Sequence, residues 1–294
     1  MKHFTTLSDY NYLPLGLSLY ESLKKTSKED FILYYLCLDD KTHDKISEIN
    51  EYNIYPISLE NLMNENSDLS EYRKVEYREF VWMLASYFTY YILINKKPKN
   101  LSYIDADIYL YDDIQIMYDE IGENSVGIIR HRHIPENSNT IDGRYNVGIV
   151  YFKNDVIGRH CLDWWHDAVF YKKYPHLATC YDQKYLEAFS MMYPNNICVA
   201  DKTFAHSAPW HHRLYDWSNL DTKNIIIWEG NLQKLLFNHF SRISFNVSDN
   251  SYLPSGGNYP DHTLNFKVFD IPQVKRIHDE YFEEIKNVTK KYKL

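Results

Sequence analysis

The chain has 294 residues, 45 % hydrophobic and 16 % aromatic, with 28 tyrosines and a formal net charge of −8 at pH 7. That length and apolar content support one large α/β domain or two smaller ones, each with a real core. The acidic balance excludes a general nucleic-acid binder and leaves only a locally basic pocket open.

Residues 3–7 read as a first strand, and Ser8, Asp9 and Asn11 as a polar turn. A helix follows, opened by Pro14 and continued by Leu15, Leu19 and Leu23. Residues 31–38, FILYYLCL, form an unbroken apolar run of strand length. Unbroken rather than alternating runs belong to parallel strands covered on both faces. A short helix is expected at 42–50 and a third strand at 53–57, where Pro56 points to an edge or a strand end. This β-α-β-α-β opening predicts a doubly wound nucleotide-binding half. No GxGxxG follows the first strand, so the dinucleotide fingerprint is absent.

Residues 59–69 read as a loop or short helix, and 72–94 as a long helix with the apolar stripe Phe80, Leu84, Tyr87, Tyr91 and Ile94. A buried strand through Leu101, Tyr103 and Ile104 then leads into Asp105 and Asp107. A short helix is expected at 112–121, and strands at 125–129 and 146–152. Between those strands, 131–145 reads as a surface loop containing Pro135 and Gly143. The helix expected at 156–171 carries Trp164 and Trp165, read as core because neighbours on a helix face different directions. Another helix opens at Asp182, short strands are expected at 196–200 and 224–228, and a mobile Ser/Asn/Gly/Pro-rich loop at 247–263. A charged helix at 274–292 closes the sequence, with no internal repeat and no clear linker on the way.

Asp105 and Asp107 stand one residue apart between two apolar segments. Carboxylates so spaced reach the same side where a strand breaks, and their oxygens suit a hard divalent cation such as Mg²⁺ or Mn²⁺. With open coordination positions such a cation neutralises a diphosphate. The plainer reading is an acidic pair in a solvated turn, since the triplet is short.

The first strand, Asp105-Ala106-Asp107, Asn146-Val147-Gly148, Asp182-Gln183 and His239 in LLFNHFSRI occur in an order that resembles the GT-A nucleotide-sugar glycosyltransferases. The likeness is to family 8 and to related bacterial polysaccharide-type transferases. GRYNVGIVYFKND at 143–155, and a WW helix followed by DQKYL at 182–186, add to it, and it runs to about Arg242. The resemblance implies an α/β, GT-A (Rossmann-like) fold with a mixed, mostly parallel central sheet flanked by helices. It implies metal-dependent transfer of a sugar from a nucleotide-diphosphate donor, a UDP-sugar by preference. The acceptor would be a glycan or lipid-linked saccharide, the anomeric configuration retained, and the setting surface polysaccharide or glycoconjugate synthesis. Mn²⁺ (or Mg²⁺) would be held by Asp105, Asp107 and His239. Donor contacts would come from Thr6, Leu7, Ser8, Arg78, Asp105, Ala106, Asn146, Val147 and Gly148. Asp182 and Gln183 would form the catalytic pair at the donor sugar, Gln183 close to the anomeric carbon. Trp210, His211 and His131 fall where acceptor contacts are expected.

Two departures stand out. Family 8 usually ends the first strand on acidic residues, whereas Leu7 and Ser8 stand here with Asp9 just beyond. The lysine-containing motif after the late histidine is missing, and Arg242 is the nearest cation. Each position also has a plainer reading: His239 as a hydrogen-bonded core histidine, Asn146 as an Asx turn, Asp182 as a helix cap, Arg78 as a solvated helix face. Two other functions stay open. One is a non-catalytic sugar-binding protein on the same fold; the other is a nucleotidyltransferase, which would favour a Gly-rich basic loop after the first strand.

By this reading the chain is one GT-A domain, with a nucleotide-binding half at 1–115, a donor-sugar and acceptor half at 116–245, and the loop and final helix at 246–294. Cys37, Cys161, Cys180 and Cys198 show no CxxC spacing, which fits buried thiols in a reducing compartment. A first strand in place of a signal peptide, and no apolar run of bilayer length, give a cytoplasmic expectation. Peripheral contact with the inner membrane face is kept beside it.

Overall fold

A computed structural model describes residues 1–66, 69–70, 74–132, 143–171, 182–210, 212–220, 225–253 and 270–294. The chain begins β1 (Lys2–Ser8), α1 (Leu13–Thr26), β2 (Phe31–Cys37), α2 (Asp40–Ile49), β3 (Ile54–Ser58), α3 (Leu59–Glu65) and α4 (Tyr77–Lys96). It continues with β4 (Asn100–Ile104), β5 (Ile108–Leu110), α5 (Gln115–Ile121), β6 (Val126–Arg130), β7 (Tyr145–Lys153), α6 (Val156–Phe170), α7 (Glu187–Met192) and β8 (Ile197–Val199). It ends with β9 (Phe204–Ser207), β10 (Ile225–Trp228), β11 (Asn231–His239), β12 (Ser244–Asn246), β13 (Ser251–Leu253) and α8 (Pro272–Tyr292).

These elements form two compact units. The first takes Met1–Leu13, Glu29–Asp105 and Glu120–Ala200; the second takes Pro14–Lys28, Ala106–Asp119 and Asp201–Leu294. The first unit is a seven-stranded sheet in the order β3-β2-β1-β4-β7-β6-β8. The first four strands run parallel, β7 is antiparallel to both β4 and β6, and β8 is parallel to β6. This is the mixed, mostly parallel sheet expected, and β3, with Pro56, lies at its edge. The apolar run at 31–37 sits inside it because β2 is paired on both sides, with Leu33, Tyr35 and Leu36 fully buried.

Helix α4 differs from its predicted stripe at the C-terminal end. Phe80, Leu84 and Tyr87 are buried, but Ile94 is exposed, and Ala85, Phe88, Ile92 and Leu93 take the buried face instead. The apolar set winds round the helix because the sheet covers one side while Tyr87 turns to Phe170 of α6, ring centroids 5.6 Å apart. A periodicity count cannot choose between two apolar faces.

The second unit is built on β11. It pairs antiparallel with β10 and β5 and parallel with β9. The sequence pattern shows neither β5 nor β9: each has only three or four residues, and both are buried throughout. Ser251–Leu253, inside the stretch expected to be a mobile loop, is a strand paired with β12; 254–269 lies outside the described residues. Helix α8 buries Val274, Ile277, His278, Tyr281, Phe282, Ile285 and Val288, spaced three and four apart. Among the described residues Cys37, Cys161 and Cys198 are free, Cys180 lies outside them, and no helix is long and apolar enough to cross a membrane.

Candidate active site

In the first unit, the antiparallel pairing of β4 with β7 sets the end of one strand beside the start of the other. Ile104 pairs with Ile149, and the Asp105 N–H then donates to the Gly148 carbonyl at 2.9 Å. Asp105 therefore lies beside the Asn146-Val147-Gly148 start of β7. Tyr103, two residues back on the same strand face, donates its hydroxyl to Asp105 Oδ1 at 2.7 Å. Asn146 Nδ2 donates to Gln183 Oε1 at 2.8 Å, and Gln183 Nε2 meets His131 Nδ1 at 3.3 Å. The polar stretch after β6 is thus not a surface loop at its start: His131 and Arg132 are 5 % and 8 % exposed. Polarity alone could not show that these side chains turn inward to meet polar partners.

Asp182 is buried and starts no helix by capping; the 3-10 turn that follows has no side-chain cap. Trp165 anchors this turn by donating its indole N–H to the Asp182 carbonyl at 2.9 Å. Trp165 is core, as expected, and its second role was not legible in sequence. Burial, and after it the neighbouring Asp105 carboxylate, push the Asp182 carboxyl well above the usual carboxylate range.

In the second unit, β5 and β11 run antiparallel with Ile108 opposite His239, and the Phe240 N–H donates to the Asp107 carbonyl at 2.8 Å. This pairing brings His239 Nε2 to 3.0 Å from Asp107 Oδ1, both residues buried. The Trp210 ring stands edge-on to His239, centroids 5.5 Å apart, and is itself buried. Asp105 and Asp107 are kept close by the single residue between them. One ligand atom from each of Asp105, Asp107 and His239 lies within 4.8 Å of the others. Two carboxylates and an imidazole are a donor set that a divalent cation accepts.

The parallel pairing of β1 with β4 sets Thr5 opposite Tyr103, so the next residues of β1 run on beside the end of β4. Thr6, Leu7 and Ser8 are buried in β1, where the Ser8 hydroxyl lies 2.6 Å from that of Tyr35. Just beyond, Asp9 accepts the Tyr77 hydroxyl at 2.9 Å and the Tyr12 N–H at 3.0 Å. Arg78 is exposed on the first turn of α4, its guanidinium 6.0 Å from the Trp82 ring centre. His211 lies outside the described residues.

No protein-family model matches the chain. YfnF of Bacillus subtilis strain 168, an uncharacterized protein, is 25 % identical over 294 aligned residues that cover 94 % of this chain and 85 % of YfnF. Among solved structures, the galactosyltransferase LgtC in complex with donor and acceptor sugar analogs superposes with a TM-score of 0.52 at 13 % identity, over 97 % of this chain and 95 % of LgtC. Mouse xyloside xylosyltransferase 1, in its apo form, gives 0.52 at 12 % identity, over 81 % of this chain and 97 % of the mouse protein. The chain has the GT-A glycosyltransferase fold. In a GT-A fold Asp105-Ala106-Asp107 occupies the end of a central strand, the place where open α/β sheets bind ligands.

Proposed function

We propose that this protein is a metal-dependent glycosyltransferase that moves a sugar from a nucleotide-diphosphate donor to a glycan or lipid-linked saccharide. The observation that supports it is that Asp105 and Asp107, and His239 lying 132 residues beyond Asp107, each bring one possible ligand atom within 4.8 Å of the others. Those three residues would hold Mn²⁺ or Mg²⁺, with a UDP-sugar the favoured donor. A bound divalent cation would offset the charge that grows on the diphosphate as the glycosidic bond breaks. Asn146 and Gln183 would orient the donor sugar, and the buried Asp182 would bind one of its hydroxyls. Retention of configuration, a role in surface polysaccharide synthesis, and a cytoplasmic site with peripheral membrane contact belong to the same proposal.

The test is donor hydrolysis and transfer across a panel of nucleotide sugars, with and without Mn²⁺. Wild type should turn over at least one donor only with the metal. Asp107→Ala should lower turnover at least about 100-fold with an unchanged far-ultraviolet spectrum, because a site that has lost a cation ligand loses the charge stabilisation with it. Equal activity of the variant, or no turnover of any donor, overturns the reading. A nucleotidyltransferase is less favoured: no glycine stands between Ser8 and Leu13, where its phosphate loop would lie.

A further inference from the structure

The amide directions around Gln183 are dictated by backbone groups whose polarity is fixed. The Gly148 N–H donates to Asn146 Oδ1 at 2.9 Å, so it is Nδ2 of Asn146 that reaches Gln183, at 2.8 Å. A donor requires an acceptor, and Gln183 therefore meets Asn146 with Oε1. The Val147 N–H, 3.4 Å from the same oxygen, demands the same direction. Gln183 Nε2 consequently faces His131 Nδ1, 3.3 Å away. An amide nitrogen donates and never accepts, so Nδ1 must present its lone pair and the imidazole proton must sit on Nε2. His131 is held in place by its own backbone, whose N–H donates to the Arg144 carbonyl at 2.8 Å.

We infer that His131 is a positioning residue: as the neutral Nε2–H tautomer it accepts a hydrogen bond from Gln183 and locks that carboxamide with its oxygen turned to Asn146 and Val147. This rests on the reading of Gln183 as a residue of the donor-sugar site. It also changes what Gln183 does there. Its oxygen already receives two N–H donors, which withdraw electron density from it, so Gln183 orients the sugar rather than attacking it. His131 then acts on the donor side, through Gln183, and not as an acceptor contact.

The tautomer is read by long-range ¹H–¹⁵N correlation of the histidine rings at about pH 8, where an unperturbed imidazole is neutral. His131 is assigned by its loss in His131→Asn. A proton on Nε2 with a bare Nδ1 is expected; a proton on Nδ1 overturns the inference. That readout needs no turnover, so it is independent of whether any nucleotide sugar proves to be a substrate. In donor turnover, His131→Asn keeps an acceptor oxygen near the Nδ1 position and should hold kcat within about threefold of wild type. His131→Ala should lower kcat about 10- to 100-fold with the donor KM little changed, the signature of a misplaced reacting group. His131→Ala equal to wild type, or His131→Asn as poor as His131→Ala at an unchanged melting temperature, overturns it.

Discussion

At the scale of single residues, the turn carrying Asp182 and Gln183 depends on a glycine just before β7. Gly143 has a φ of +87°, and a Cβ there would stand 3.1 Å from the Lys184 Cα. Gly230 has a similar φ of +77° with nothing within 4 Å of its Cβ position. The pair separates backbone strain from contact. Gly230→Ala should cost only the left-handed penalty, about 1 kcal/mol, in urea unfolding. Gly143→Ala should cost more, about 2 kcal/mol, and should also reduce donor turnover, because Lys184 must move and Gln183 moves with it. Equal losses for the two variants would show that the approach to Lys184 carries no weight. Glycine at 143 is visible in the sequence, but its reason is a neighbour about forty positions away.

At the scale of elements, helix α8 supports the strand that carries His239. Tyr281 stacks on Phe240 with ring centroids 3.8 Å apart, and His278 meets the same ring edge-on at 5.0 Å. His278 is fully buried and donates Nδ1–H to the Val274 carbonyl at 2.9 Å. Burial lowers its pKa to about 4, and burial together with the nearby His278 lowers that of His212 to about 3. Both rings stay neutral in the fold and charge readily once unfolded. Their contribution is therefore present above the unfolded value of about 6.5 and is lost as pH falls toward 4. Each site removes up to about 1.4 kcal/mol per pH unit in that window. Thermal melts should drop between pH 7 and pH 5, and His278→Phe should shrink the drop; a flat profile would refute the assignment. The amphipathic spacing of α8 was legible in sequence, whereas its contact with Phe240 was not.

At the scale of the whole molecule, a ligand that binds only the folded chain raises its melting temperature. UDP with Mn²⁺ at about 100 times its dissociation constant adds about 2.7 kcal/mol, which is about 5 °C for a chain of this size. UDP without metal should give a much smaller shift, and Asp107→Ala should abolish the difference. No shift with any nucleoside diphosphate and Mn²⁺ would leave the fold without the proposed donor. The net charge of −8 makes a second whole-molecule prediction. Duplex DNA should show no gel shift at about 0.15 M salt, since binding of that kind is driven by basic surface.

The sequence by itself determined the order of the first unit's longer strands and helices and the chemistry available to them. An unbroken apolar run marked β2, which is paired parallel on both sides, and the residue types at Asp105, Asp107 and His239 offered ligands to a hard cation. These signals are local: a run, a spacing, a residue type. Tertiary structure alone decided which distant groups meet. It paired β5 with β11 so that His239 reaches Asp107, and it turned His131 inward onto Gln183. It also gave Trp165 a second task at the Asp182 carbonyl. Pairing of this kind is set by strand register and by the competition of whole faces for burial, and neither leaves a trace in a window of neighbouring residues.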